Sequence, residues 1–363
     1  MIPDKYATLP SVNQAEVTLL GAGAYGESIV CHIGDNNWII IDSCINPDDK
    51  DLPLALAYLK DIGVSPQNIS LIICSHWHDD HIKGISKILK AAINADFCIS
   101  RAHDKNKFLA FVGMDSAKPL NYSTKEFTNC LNILIERNKH FIDAIEDRPI
   151  LANHFSRITC LSPSDYTTQK FDIEIASLNK EFGAANKKIP YSSPNSKSIV
   201  LFAKLGYHRA IFGSDLEIIN NENEGWLRVL QNTLSIDNKS SLFKISHHGS
   251  SNGYHEEIWN ILLLKNPVAK LTPWKLGGKS LPEDEMVLKY LTHTDKLYMT
   301  EFVLNNKQKV RDGQIEKLIK QFKPTLQEIK FKLGIIRSRI FMDDAEAEWQ
   351  VENIMGAKKL NNP

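Results

Sequence analysis

Residues 75–81 read Ser-His-Trp-His-Asp-Asp-His, which sets three imidazoles and a carboxylate, His76, His78, Asp80 and His81, in the pattern His-x-His-x-Asp-His. Neither a helix nor a strand period brings four such positions to one face, but an irregular loop can turn them all towards one point. Imidazole nitrogen with carboxylate oxygen suits zinc, manganese or ferrous iron, and the lack of a nearby cysteine argues against a thiolate site. Two further stretches end in residues of metal-ligand type: Asp215 closes Arg-Ala-Ile-Phe-Gly-Ser-Asp, and His247 with His248 follows Ser-Leu-Phe-Lys-Ile-Ser. Taken singly these read as turn and surface residues. Together with the first cluster they deliver ligand types from three separate strand ends.

The elements that must position these residues follow from the apolar pattern. Ala15–Leu20, residues 28–34 and residues 38–42 are short β-rich runs broken by glycines and by Asp35-Asn36-Asn37, and they predict an antiparallel meander. A helix is expected from Leu52 to Ile62, ended by Gly63, and then a buried strand at Leu71–Cys74 immediately before the histidine cluster. Between Ala91 and Asp147 the pattern is mostly helical, clearest from Thr124 to Ile145, and is expected to be a helical insertion covering the domain. Strands return at 157–162, 198–206, 209–215 and 241–246, with a helix near Glu224–Leu234. Two halves that each supply strands followed by helices predict two face-to-face sheets with helices outside.

The chain has 363 residues, 43% hydrophobic and 24% charged, enough for a sizeable core. Its 43 basic and 43 acidic residues cancel, so no global charge directs it to nucleic acid or a membrane surface. The opening residues lack a basic segment followed by an apolar run, and no stretch approaches the ~18 apolar residues of a bilayer span. Six cysteines stand singly, as reduced core residues do. A cytoplasmic protein is the expectation. The tail differs: residues 305–340 carry ten Lys/Arg against three Asp/Glu, with a helical pattern from Asp312 to about Phe322. A basic solvated helix is the plain reading, and a docking surface for a protein partner or an anionic polymer is the other. The domain plan is therefore one unit over 1–303 that holds the histidine cluster, with the insertion at about 91–147, and an extension over 304–363 holding the basic helix and a terminal strand.

Gly-Ala-Gly-Ala-Tyr-Gly (21–26) satisfies Gly-x-Gly-x-x-Gly after a strand, but a strand follows it instead of a helix. Without a helix N-terminus there are no free amides to hold a pyrophosphate, so a hairpin turn is expected. His32, His103, His140, His208, His255 and His293 lie in no ligand-spaced group.

SHWHDDH resembles the signature of the metallo-β-lactamase superfamily. LSP (161–163), NSKS (195–198), GSD (213–215) and SHHGSSN (246–252) resemble, in order, the hydrolase domain of the competence protein ComEC and its free-standing bacterial relatives, over roughly Ala15 to Thr300. The resemblance implies an α/β (α+β) fold, a four-layer αββα sandwich, and two divalent ions, Zn or Mn. His76 and His78 would hold the first, Asp80 and His81 the second, and Asp215 would bridge. One histidine of the SHHGS run would complete the second site, His247 ahead of His248. Where many members carry a further strand-end histidine this chain has Ser162-Pro163-Ser164-Asp165, leaving water, Asp165 or His154 for that place. Where the ComEC-like pattern has His-Pro, this chain has Leu281-Pro282.

Two cations would lower the pKa of a shared water enough to give hydroxide near neutral pH. Asp80 would hold that nucleophile, and Asn195, Ser198 or Ser250 would orient substrate oxygens, each with a turn or capping role as its alternative. The resemblance favours a phosphodiester substrate, in nucleic acid or a nucleotide. Other esters (phosphocholine-type, thioester) are the alternative, as is a non-catalytic metal-containing subunit of a multi-protein bacterial defence system.

Overall fold

The chain enters through a meander of three antiparallel strands, β1 (Gln14–Gly21), β2 (Glu27–His32) and β3 (Trp38–Ile41). A hairpin of β4 (Ile45–Asn46) and β5 (Asp49–Pro53) leads into α1 (Leu54–Asp61), and β6 (Ile69–Cys74) returns parallel to β3. Then come α2 (Asp79–Ile82), α3 (Ile85–Ala91), β7 (Asp96–Ser100), α4 (Tyr122–Glu136) and β8 (Phe141–Ala144). The second half contributes β9 (Pro149–Ala152), β10 (Ser156–Cys160), α5 (Asp165–Glu181), β11 (Leu201–Leu205), β12 (His208–Phe212), α6 (Gly225–Gln231), β13 (Ser240–Lys244) and β14 (Leu263–Leu271). A hairpin of β15 (Trp274–Leu276) and β16 (Lys279–Leu281), then α7 (Asp284–Leu291) and β17 (Leu297–Met299), precede the last strands, β18 (Gly334–Phe341), β19 (Gln350–Met355) and β20 (Lys358–Leu360). This computed structural model describes residues 2–21, 26–47, 49–101, 122–181, 194–276, 278–301 and 333–361.

The strands form two eight-stranded sheets, ordered β19-β18-β1-β2-β3-β6-β7-β8 and β20-β17-β14-β13-β12-β11-β10-β9. Side-chain alternation gives each sheet two buried faces. Along β3, Ile39 and Ile41 join Val17, Leu19, Leu71 and Ile73 against Leu201, Ala203, Ala210 and Leu242 of the other sheet, the core between the sheets. Trp38 and Ile40 point the other way, onto Leu54 and Tyr58 of α1, Ile88 of α3 and Phe127 of α4. On the far side Phe202, Ile211 and Phe243 pack under Trp226 of α6 and Tyr290 of α7. Helices, two sheets and helices make the four-layer αββα sandwich the sequence predicts.

Two expectations change. Asp96–Ser100 and Phe141–Ala144 are strands of the first sheet, so the 91–147 segment is only partly helical; residues 102–121 lie outside the described residues. The final strands are not an appended extension. β18 pairs with β1 from Gln14↔Phe341 to Gly21↔Gly334, and β20 pairs with β17, so the tail completes both sheets. Gly334 is required there, because a Cβ would overlap the Thr300 carbonyl. The basic helix expected at Asp312–Phe322 lies outside the described residues, as do residues 22–25 of the glycine-rich turn, which is flanked by strands β1 and β2. No helix among the described residues is long and apolar enough to cross a membrane.

Candidate metal centre

Four strands deliver the site at their carboxyl ends. β3 and β6 run parallel in one sheet and β12 and β13 parallel in the other, and the chain turns sharply after each. Asp42, Ser214, His247 and His248, the residues just beyond β3, β12 and β13, all adopt positive φ, between 45° and 60°. Non-glycine residues seldom occupy that region, and its concentration here marks a backbone held for the sake of side-chain direction. Gly213 lets two of the turns meet: a Cβ there would lie 2.9 Å from the Lys244 carbonyl and would strike the Ser246 hydroxyl. The Asp215 turn is thereby laid against the His248 turn.

The donor atoms converge. His76 Nε2 lies 3.1 Å from His78 Nδ1 and 3.8 Å from Asp215 Oδ2. His81 Nε2 lies 3.3 Å from Asp215 Oδ1 and 4.0 Å from Asp80 Oδ2. His248 Nε2 lies 3.3 Å from Asp80 Oδ2 and 3.6 Å from Asp215 Oδ2. Four groups of donor atoms lie close enough to hold an ion: His76-His78-Asp215 and Asp80-His81-His248 at the mouth, with Asp215 reaching both, and Asp42-His76-His81 and Glu27-His81-Asp215 behind them. All of these but His78 are buried.

Hydrogen bonds behind the rings set which nitrogen faces inward. Ser75 Oγ donates to Asp42 Oδ2 at 2.7 Å, so His76 Nδ1, 3.0 Å from that hydroxyl, must carry the proton and donate to it. His81 Nδ1 donates to Asp42 Oδ2 at 2.8 Å, and His248 Nδ1 donates to the Thr272 carbonyl at 3.0 Å. Each ring thereby turns its Nε2 towards the cluster, the arrangement in which outer hydrogen bonds orient metal-binding imidazoles. His81 Nε2, His248 Nε2 and Asp215 Oδ1 are buried without any hydrogen-bond partner. Native proteins rarely leave such atoms unsatisfied, and an ion between them would satisfy all three.

The electrostatics favour positive charge at this point. Burial opposes protonation of His81, but Asp215, Asp80 and Asp42 outweigh it and hold its pKa well above the ordinary value. Burial likewise opposes ionisation of Asp215, and His81, His248 and His76 hold it well below the usual carboxylate range. His76 goes the other way, lowered by burial and by the neighbouring His81. The donor types, the orphaned atoms and the field therefore fit divalent cations.

Of the two adjacent histidines it is His248 that enters the cluster, whereas sequence reading put His247 first. The His247 ring turns to the rim, with Nδ1 3.2 Å from Glu217 Oε1 and 2.9 Å from Asn252 Oδ1 and Nε2 3.3 Å from Asn195 Nδ2. Asn195 and Ser250, both buried, sit beside His247, Asn195 Nδ2 at 3.3 Å from its Nε2 and Ser250 Oγ at 3.2 Å from its Nδ1. The Ser198 hydroxyl is fully buried with no hydrogen-bond partner. Ser162 occupies the place of the further strand-end histidine and commits its hydroxyl to the Ser198 carbonyl at 2.6 Å and the Val200 amide at 2.8 Å. Asp165 is exposed at the start of α5, and His154 lies before the opposite end of β10 against Phe155, so neither joins the donor group.

Sequence reasoning missed the support. Asp42 also accepts from the Ser75 amide at 2.7 Å, and Ser214 Oγ donates to Ser75 Oγ at 2.7 Å, linking the two sheets. Beneath the cluster a buried Glu27 pairs with Lys244, and Glu27 Oε2 lies 3.8 Å from His248 Nδ1. An aspartate ending the apolar strand Trp38–Ile41 was the one available signal for Asp42. Nothing in the sequence marks Glu27 or Lys244.

Residues 28–120 match the family model described as the metallo-beta-lactamase superfamily. No curated protein matches the chain. Among solved structures, the chain is similar to the metallo-β-lactamase fold protein YhfI from Bacillus subtilis, at 14% identity over 64% of this chain and 70% of that one, with a TM-score of 0.33. A metallo-β-lactamase from Cronobacter sakazakii gives 14% over 64% and 75%, TM-score 0.36, and human tRNase Z, short form, 9% over 63% and 76%, TM-score 0.34. With the layer order, the strand-end donor set and the family match over the stretch that holds the histidine cluster, the chain carries the metallo-β-lactamase superfamily fold.

Proposed function

We propose that the chain is a two-metal hydrolase acting on phosphodiesters. The observation that carries the reading is the convergence of three buried atoms that lack a hydrogen-bond partner, His81 Nε2, His248 Nε2 and Asp215 Oδ1, between two donor sets. His76, His78 and Asp215 would hold one cation, and Asp80, His81 and His248 the other with Asp215 shared. When bound, paired cations supply an activated water and neutralise charge on both oxygens of an in-line displacement, which suits a phosphodiester. The resemblance of NSKS (195–198), GSD (213–215) and SHHGSSN (246–252) to the ComEC hydrolase domain supports the same substrate class.

The protein's own groups do the rest. Asp80, 3.3 Å from His248 Nε2, lies where a carboxylate can both hold a cation and accept a proton from the attacking water. Asn195, Ser250 and His247, grouped together beyond Asp215, would orient substrate oxygens. With Asp215 shared, the first set offers three donors and the second four, so the first would be the weaker of the two. The test is hydrolysis of a bis-aryl phosphodiester with added manganese or zinc, using His78→Ala as control. Turnover that the variant lacks supports the proposal; no turnover after metal is restored sinks it.

A further inference from the structure

Of the four donor groups, the inner one of Glu27, His81 and Asp215 already has a cation beside it. Along β2, Glu27 shares the face that Ile29 and Cys31 turn into the core between the sheets, and along β13, Lys244 shares the face of Leu242. Strand alternation therefore aims the two side chains at each other across the space between the sheets. Both are buried, and their charges pair. The Lys244 ammonium also donates to the carbonyl of Ser214, the residue before Asp215, at 3.3 Å. Glu27 in turn lies behind two rings of the centre, Oε1 3.7 Å from His81 Nδ1 and Oε2 3.8 Å from His248 Nδ1, and Oε2 is buried without a hydrogen-bond partner.

The surroundings of the ammonium decide what it does there. Burial opposes its charge, but Glu27, Asp215 and Asp42 outweigh burial and hold its pKa above the ordinary lysine value. Carboxylate and carbonyl oxygens on several sides are the donors that a hard cation takes. Stability alone does not account for the pair, because a buried ion pair is often no more stable than apolar side chains of the same volume. The other inner group, Asp42-His76-His81, has its carboxylate committed to hydrogen bonds from Ser75 and His81. A divalent ion entering the Glu27 group would meet the like charge of Lys244.

We propose that the Lys244 ammonium is a resident third cation of the centre, filling a seat made by Glu27, His81, Asp215 and the Ser214 carbonyl and so confining divalent ions to the two outer groups. The number of outer ions rests on the two-metal reading; the seat rests on the contacts of Glu27 and Lys244.

The test counts ions and does not read turnover. The full chain, Lys244→Ala and the double variant Lys244→Ala/Glu27→Gln are titrated with Mn2+ by calorimetry, and the metal retained after gel filtration is measured by plasma mass spectrometry. Lys244→Ala should bind about one Mn2+ per chain more than the parent, and the double variant should return to the parent's number. A Lys244→Ala chain that folds only when Mn2+ is present supports the seat equally, since the vacated carboxylate then needs its cation. A Lys244→Ala chain that binds no additional ion, one that stays unfolded with Mn2+ present, or an additional ion that the double variant keeps overturns it. The readout is a difference from the parent, so a parent that holds no metal would sink the two-metal reading while the variants still decide this one.

Discussion

Asp42 Oδ2 lies 2.8 Å from His81 Nδ1, on the opposite side of the ring from the Nε2 that faces Asp215 Oδ1 at 3.3 Å. A buried carboxylate on the far side of the ring thus fixes both the tautomer and the direction of the His81 Nε2. Asp42→Asn keeps the shape but removes the charge that accepts the ring proton. Outer carboxylates of this kind change metal affinity by roughly 10–100-fold. Competition with a chromophoric chelator should show a loss in that range for one ion per chain; an unchanged affinity would remove Asp42 from the account.

The two adjacent histidines should separate. His248→Ala takes away a buried Nε2 next to Asp80 and Asp215, and should reduce retained metal by about one ion per chain. His247→Ala should retain the metal of the parent protein and alter substrate handling at the rim. Metal content of the two variants after identical gel filtration checks this, and equal losses would contradict the assignment.

Metal affinity should fall as pH falls. Asp215, Asp80 and Asp42 overcome burial to hold the His81 proton well above its ordinary pKa, and His248 is raised in the same way by Asp215 and Asp80. A cation entering this set must displace those protons, so binding near pH 7 should release about one to two of them. Calorimetry in buffers of different ionisation enthalpy reads the number directly. Binding without proton release would mean that both rings are neutral before metal arrives.

A separate pH dependence belongs to the core. Lys270, on β14, is fully buried and donates to the carbonyls of Val17 at 2.7 Å and Ile336 at 3.2 Å, crossing from one sheet to the other. Burial pushes it down to about 7. Between there and the unfolded value of about 10.4 the unfolded chain binds the extra proton, so stability rises with pH across that window. Lys270→Met should therefore be more stable than the parent at pH 6, by on the order of a few kcal/mol. That advantage should shrink as pH climbs from 7 towards 10. Melting temperatures at pH 6 and 9 with an equal difference at both would contradict the depressed lysine.

How far the sequence carried this picture varies by residue. His76, His78, Asp80 and His81 were legible because four residues of metal-ligand type crowd into six positions after an apolar strand, and the sandwich was legible because Ile39/Ile41 and Trp38/Ile40 alternate between two apolar faces. The choice between His247 and His248 was not, since it depends on backbone angles of 45° and 53° that no residue type dictates. Phe141 and Ile145 continued the spacing of Phe127 and Leu134 and so read as helix, but Phe141–Ala144 pairs with β7, and sheet pairing outweighs a local period. Glu27 and Lys244 could not be found because each is a lone charge in a strand, and only the fold sets them side by side.

The central claim is a buried pair of cation sites sharing Asp215, and the most direct measurement is the metal content of the purified full chain by plasma mass spectrometry, before and after dialysis against chelator and reconstitution. The account predicts about two divalent cations per chain, close to one in Asp215→Ala or His248→Ala. No retained metal in the parent protein, before or after reconstitution, would contradict it.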